Sequence, residues 1–185
     1  MIAYCLFCVT QKCRALAPEI ARQTGLTVLY PQQVQHTWEK GKMVDRRSDL
    51  LPGYIFVFAP QPLETPRLVF KRFIGVLRIL GKIEDDYILQ EDDNLFAQSL
   101  LSMGGEIGRT KVYQEGQMIH LTDQAFGGAN ARILKVNRRN GRMQVEIPFA
   151  GTLVKTWVEY EMVEDIPPVG TSTASPQKSV EDKRN

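Results

Sequence analysis

Residues 46–57 read Arg46-Arg47-Ser48-Asp49-Leu50-Leu51-Pro52-Gly53-Tyr54-Ile55-Phe56-Val57. A basic, polar run passes through Pro-Gly into a stretch rich in aromatic and β-branched residues, which predicts a strand over 53–58. Side chains alternate across a strand, so Tyr54 and Phe56 share one face and Ile55 and Val57 the other. One face must meet a core. If the aromatic face is the other one, it forms an apolar patch of the kind that marks a partner site; otherwise Tyr54 and Phe56 are themselves core.

Upstream, residues 4–9 read as a buried strand. Residues 11–23 carry Cys13, Leu16, Ala17, Ile20 and Ala21 at helical spacing, with Gly25 as the stop. Pro18 inside that helix removes a backbone hydrogen bond and predicts a short or bent element. Residues 26–30 read as a second strand. Residues 37–49 are polar, basic and without period, an exposed loop or hairpin tip. Downstream, 66–73 reads as a short helix and 75–80 as a strand. Residues 92–103 read as a helix with Leu95, Phe96, Ser99, Leu100 and Met103 on one face, capped near Asp92 or Asp93 and stopped by Gly104-Gly105. This order predicts an α/β sandwich over residues 1–106.

From Gly116 onward the helical period disappears. Short strand-like runs at 117–121, 131–137, 142–147, 152–158 and 161–164 are separated by Phe126-Gly127-Gly128, Asn140-Gly141 and Ala150-Gly151. Asn-Gly between apolar runs is a strong hairpin signal. Five short strands in so little chain predict a small β-barrel over 115–166, joined to the sandwich by a linker at 107–114. The fold class is therefore α+β, an antiparallel sheet flanked by helices followed by a five-stranded barrel. Residues 167–185 turn to Gly, Thr, Ser, Pro and charge and read as a disordered tail.

The whole chain, 185 residues with 23 Lys or Arg and 21 Asp or Glu, has a net charge of only +2. That balance hides a segregation: residues 1–83 carry twelve basic and five acidic side chains, a net +7, and residues 84–106 carry seven acids and no base. Such blocks suit either a polyanion-facing surface with a separate acidic face, or two solvated faces. No apolar run is long enough for a membrane span. The apolar stretch 2–9 lacks a preceding basic residue and has Lys12 and Arg14 after it, the wrong polarity for a secretory leader. Three cysteines argue against a disulfide scaffold and for the cytoplasm.

Catalytic chemistry finds little purchase. Cys5 and Cys8 lie three apart on a strand and so face opposite sides, which denies them one metal ion. His36 and His120 fall in different domains. No nucleophile elbow or phosphate-binding glycine pattern is present. The sequence predicts no cofactor, no metal and no enzyme, but a binding protein.

Leu51-Pro52-Gly53-Tyr54-Ile55-Phe56-Val57 resembles the hallmark of the N-terminal domain of NusG transcription elongation factors. The opening strand and helix resemble it too, as does Arg72-Phe73-Ile74-Gly75-Val76-Leu77-Arg78-Ile79-Leu80-Gly81. The downstream barrel resembles a KOW domain, opening at Glu115-Gly116-Gln117. Within the family, Ile133 to Arg142 and Val145-Glu146-Ile147-Pro148-Phe149-Ala150-Gly151 are most similar to the specialised antiterminator paralogs called LoaP. Two positions depart from the pattern: Ala131 stands where a KOW glycine is usual, and Ala3 where the opening strand commonly has Trp.

The resemblance implies a monomeric processivity factor. Its N-terminal domain would bind the clamp helices of the β′ subunit of RNA polymerase and bridge toward β, through Phe7, Leu51, Tyr54 and Phe56 with Ile55 or Leu50 at the edge. Lys40, Lys42, Arg46 and Arg47 would lie near upstream DNA. The LoaP-like barrel would recognise an RNA hairpin through Lys135, Arg138, Arg139 and Arg142; guanidinium groups suit phosphate geometry. The alternatives are a general NusG factor coupling polymerase to the ribosome, which predicts an apolar barrel face, and a KOW-type RNA-binding structural protein, which needs no Pro-Gly-Tyr strand. A barrel that switches to helix, as in the RfaH paralogs, is not expected, because 131–136 and 152–158 read as β.

Overall fold

The computed structural model describes residues 1–81, 86–122, 126 and 130–163. The expected tail at 167–185 and the glycines of the expected turn at 126–128 lie outside the described residues. Strand β1 (Ile2–Cys8) leads into helix α1 (Cys13–Thr24). Cys13, Leu16, Ala17 and Ile20 form the buried stripe of α1. The helix continues through Pro18, which faces solvent, so water can satisfy the carbonyl that loses its donor. Gly25 in the left-handed region closes it, its N–H bonding the Ala21 carbonyl at 2.9 Å.

Next come β2 (Thr27–Leu29), β3 (Gln32–Glu39), β4 (Lys42–Asp49) and β5 (Tyr54–Ala59). Helix α2 (Pro66–Lys71), β6 (Val76–Leu80), helix α3 (Glu91–Ser102) and β7 (Glu106–Ile107) complete the N-terminal domain. The main sheet runs β2-β5-β1-β6 and its pairings are antiparallel. Both its faces are covered. Ile55, Val57, Tyr4 and Leu6 pack with α1 and α2; Phe56, Phe58, Ala3 and Cys5 pack with Phe96 and Leu100 of α3. Cys5 and Cys8 fall into these two different clusters, on opposite faces of β1, and all three cysteines are free and buried.

Of the two readings of residues 37–49, exposed loop or hairpin tip, the structure shows the hairpin. β3 and β4 pair over eight residues each as a ribbon turned at Lys40-Gly41, and β7 joins β3 in parallel. Polar residues on both faces gave this ribbon no hydrophobic period to read. Helix α3 also sits differently from expectation. Its N-cap is Gln90, and Phe96, Ala97 and Leu100 are buried while Leu95 stays 55% exposed. The sheet and the barrel both press on the Phe96 side.

The second domain holds β8 (Thr110–Glu115), β9 (Met118–Leu121), β10 (Arg132–Asn137), β11 (Arg142–Phe149) and β12 (Thr152–Met162). Their order is β10-β11-β12-β8-β9, and β9 and β10 approach to nearly close the barrel. Most of the expected linker at 107–114 is therefore β8, which pairs in parallel with the end of β12. The two last expected strands are one, β12. The Asn140-Gly141 turn is longer than two residues: Asn137 pairs Arg142, the Asn137 side chain accepts the Asn140 N–H at 3.2 Å, and Gly141 takes the positive φ. Met143, Val145, Ile147, Val112 and Val158 fill the barrel interior. Among the described residues no helix is long and apolar enough to cross a membrane.

Candidate functional site

The turn Leu51-Pro52-Gly53-Tyr54 sets the site. The Tyr54 N–H bonds the Leu51 carbonyl at 3.1 Å and Gly53 has φ +94°, the type II arrangement that Pro-Gly favours. The Cys8 N–H donates to the Gly53 carbonyl at 2.7 Å. A Cβ on Gly53 would lie 3.2 Å from Phe7 Cε2 and 3.3 Å from the Cys8 carbonyl. The turn thus seats β5 against β1 and presses the chain onto Phe7. Gly53→Ala is expected to cost about 1–2 kcal/mol from the left-handed backbone alone, with a further loss from displacing Phe7. Thermal denaturation of the full chain checks this; an unchanged midpoint would contradict it.

Phe7, Tyr54 and Arg78 lie at the open end of the sheet face. The Phe7 and Tyr54 ring centroids are 5.3 Å apart, and the Arg78 guanidinium stands over Phe7 at 5.5 Å. Burial pushes the Tyr54 hydroxyl up, Cys5 adds to this and Arg78 opposes it. Phe7 and Tyr54 are half-buried. Leu51 and Phe56, expected on the same accessible patch, are fully buried, as are Leu50 and Ile55.

The barrel covers Tyr54 and Phe56. Phe149, at the end of β11, lies 6.0 Å from Tyr54, 5.3 Å from Phe56 and 5.7 Å from Phe96 by ring centroid. Ala150 and Gly151 both have positive φ, as a tight primed turn between β11 and β12 requires. The Ala150 N–H donates to both Asp93 carboxylate oxygens, at 3.0 and 3.1 Å. Asn130 donates to Asp92 at 3.1 Å. Glu91, Asp92 and Asp93 occupy the first turn of α3, where the helix dipole favours negative charge. A cleft of about 520 Å³ runs between this turn and the β11–β12 turn. On the far side, buried Gln33 of β3 accepts the Glu159 N–H at 2.6 Å and donates to the Trp157 carbonyl at 3.2 Å, once its amide is oriented to suit both partners.

The structure divides the expected basic residues. Lys40 and Lys42 are exposed at the ribbon tip. Arg46 pairs with Glu39, and Arg47 Nε bonds Glu106 Oε1 at 2.8 Å, which fastens the ribbon to β7. As neighbours on β4, Arg46 and Arg47 point to opposite faces. On the barrel, Lys135, Arg138 and Arg139 are exposed and Arg142 is partly buried. No group of three or more His, Cys, Asp or Glu able to hold a metal ion occurs among the described residues. His120 stacks on Tyr113 at 5.2 Å.

Phe149, Phe96, Asp93 and Gln33 are the residues of the site that sequence reading did not assign to it. Asp93 was legible as a helix-start acid, but nothing local in the sequence links it to a turn 57 residues away.

No protein-family model matches the chain, and no curated protein matches it. The fold is similar to that of a solved structure described as "Domain interaction in Thermotoga maritima NusG", with a TM-score of 0.50, 14% identity, and coverage of 85% of this chain and 93% of that one.

Proposed function

We propose that the chain is a NusG-type transcription factor of the specialised, antiterminating kind. It docks through Phe7, Leu51, Tyr54 and Phe56 on the clamp helices of RNA polymerase β′, spans toward β, and disfavours the open-clamp states linked to pausing and termination. It acts by differential affinity for one polymerase state, without making or breaking a bond. Lys135, Arg138, Arg139 and Arg142 contact nascent RNA, and the ribbon residues Lys40, Lys42, Arg46 and Arg47 approach upstream DNA. The observation that supports this reading best is the aromatic sheet face, which runs from Phe7 through Tyr54 to Phe56 on one side of paired strands.

Half of that face is under Phe149, so docking in this reading has two stages. Phe7 and Tyr54 offer a rim for first contact; the side of Phe56 that Phe149 meets becomes available only when the barrel lifts away. The apparent affinity is then the intrinsic one scaled by the open fraction. The test is a titration of the full chain against RNA polymerase and against the isolated clamp-helix segment. Tyr54→Ala and Phe7→Ala are expected to weaken docking roughly tenfold or more, as central aromatic anchors do. Arg138→Ala is expected to leave it unchanged. Docking indifferent to Phe7 and Tyr54 would refute the assignment.

A further inference from the structure

The outer face of the barrel sheet carries an arrangement that the basic tip does not explain. Lys135 of β10 is directly opposite Gln144 of β11, and Gln144 is directly opposite Trp157 of β12. Opposed residues of antiparallel strands share a face. A bulge between Ile133 and Lys135 brings Lys135 into this register. Cation, amide and indole therefore form one row across three strands, spanning roughly 10 Å. Trp157 is 39% exposed although its neighbours Thr156 and Val158 are buried.

The surroundings are cationic. In one flanking row, Glu146 is held between Arg132 and Lys155, with Lys155 Nζ at 3.6 Å, and its side chain is only 4% exposed. In the other, Arg142 is opposite Glu159, which is itself paired with Arg109 at 3.6 Å. Glu146 and Glu159 are thus paired with cations, and exposed Glu161, further along the same face of β12, is opposite Lys111 of β8, while Lys135 remains exposed and Arg138 and Arg139 stand just beyond it at the tip.

We propose that this row is a binding site for an unpaired RNA nucleotide. The base stacks on Trp157, the Gln144 amide bonds the base edge, and Lys135 meets the phosphate. The inference rests on the RNA-binding reading above and deepens it: the recognised RNA presents single-stranded bases to the sheet, with Arg138 and Arg139 holding its backbone. A solvent-facing indole in one row with an exposed lysine fits single-stranded nucleic acid, whose bases expose a π-face, better than it fits a duplex, whose bases are already stacked.

The experiment uses the full chain with Trp38→Phe, which leaves Trp157 as the sole tryptophan. It is titrated with an unstructured adenine-rich RNA, a blunt RNA duplex, and single-stranded DNA of the first sequence. The expected result is quenching of Trp157 emission by the single-stranded RNA and little by the duplex. Trp157→Ala should weaken single-strand binding roughly tenfold without changing its salt slope, and Trp157→Phe should restore most of it. Lys135→Ala should lower the salt slope by about one phosphate contact. RNA binding with unchanged emission and no effect of Trp157→Ala would overturn the site while leaving the RNA reading intact. Equal or tighter binding of the DNA strand would overturn the assignment to RNA. Absence of any RNA binding would overturn both, and polymerase docking, measured separately, would stand.

Discussion

Phe149→Ala is expected to separate the two domains while leaving each one folded. Truncating a buried phenylalanine costs about 3–5 kcal/mol. The three rings that Phe149 meets, Tyr54, Phe56 and Phe96, all belong to the N-terminal domain, so the loss falls mainly on the contact between domains. The barrel keeps Val112, Met143, Val145, Ile147 and Val158 as its own interior. Hydrogen bonds also cross between the domains: Asp93 to the Ala150 N–H, Asp92 to Asn130, and Gln33 to the edge of β12. Such hydrogen bonds contribute about 0.5–1.5 kcal/mol each, with water competing for them. A loss of about 3 kcal/mol moves the closed-to-open ratio more than a hundredfold. Small-angle scattering should record a larger radius of gyration, and clamp-helix binding should tighten as the Phe149 side of Phe56 is uncovered. An unaltered radius of gyration, with one cooperative transition at the wild-type midpoint, would contradict the role given to Phe149.

The second large effect is alkaline. Burial pushes the Cys8 thiol up from its ordinary value of 9.0 to about 12, with neighbouring Cys13 adding to the shift. Burial drives Cys5 well above its ordinary value too, and raises Cys13. In the unfolded chain these thiols lose their protons near 9, whereas the native chain keeps them. Above that pH the native state therefore binds more protons, and stability must fall as pH rises. It is complete below about pH 9 and declines by about 1.4 kcal/mol per pH unit for each thiol so held, until the native thiol itself ionises. Tyr30 and Tyr54, also raised mainly by burial, act in the same direction higher up the scale. Across one to two units this is comparable to a typical domain's whole stability of about 5–15 kcal/mol. Urea denaturation at neutral pH and at about pH 10.5 should show the drop, and Cys8→Ala should make it shallower. A flat profile to that pH would mean the thiols are reached by water.

Sequence reading captured β5 by its run of aromatic and β-branched residues, which the structure buries on both faces, and α1 by its stripe of Cys13, Leu16, Ala17 and Ile20. The ribbon of β3 and β4 was legible only as a loop or hairpin tip, and its strands were not, because backbone pairing, not side-chain burial, holds it: most of β4 is exposed. β8 was read as a linker because only Thr110 and Val112 of it turn inward, too short an alternation to stand out. The aromatic patch was legible in composition and in facing. Its accessibility was not, since that depends on where Phe149 comes to rest, and no local pattern encodes a contact between residues 54 and 149. For the same reason the alternation left open whether Phe56 was patch or core. In the closed chain it is core, because a second domain supplies the missing half.

Gln33 has a further consequence. Its amide bonds one N–H and one carbonyl of β12, just before the point where β8 takes over that side of the strand. A side chain here stands in for a neighbouring strand. When the barrel swings free, the Trp157 carbonyl and the Glu159 N–H lose that substitute and become a bare sheet edge, the kind of edge along which β-proteins aggregate. Closure thus shields the barrel from itself as well as covering the aromatic face, and the liberated state is expected to be the less soluble one.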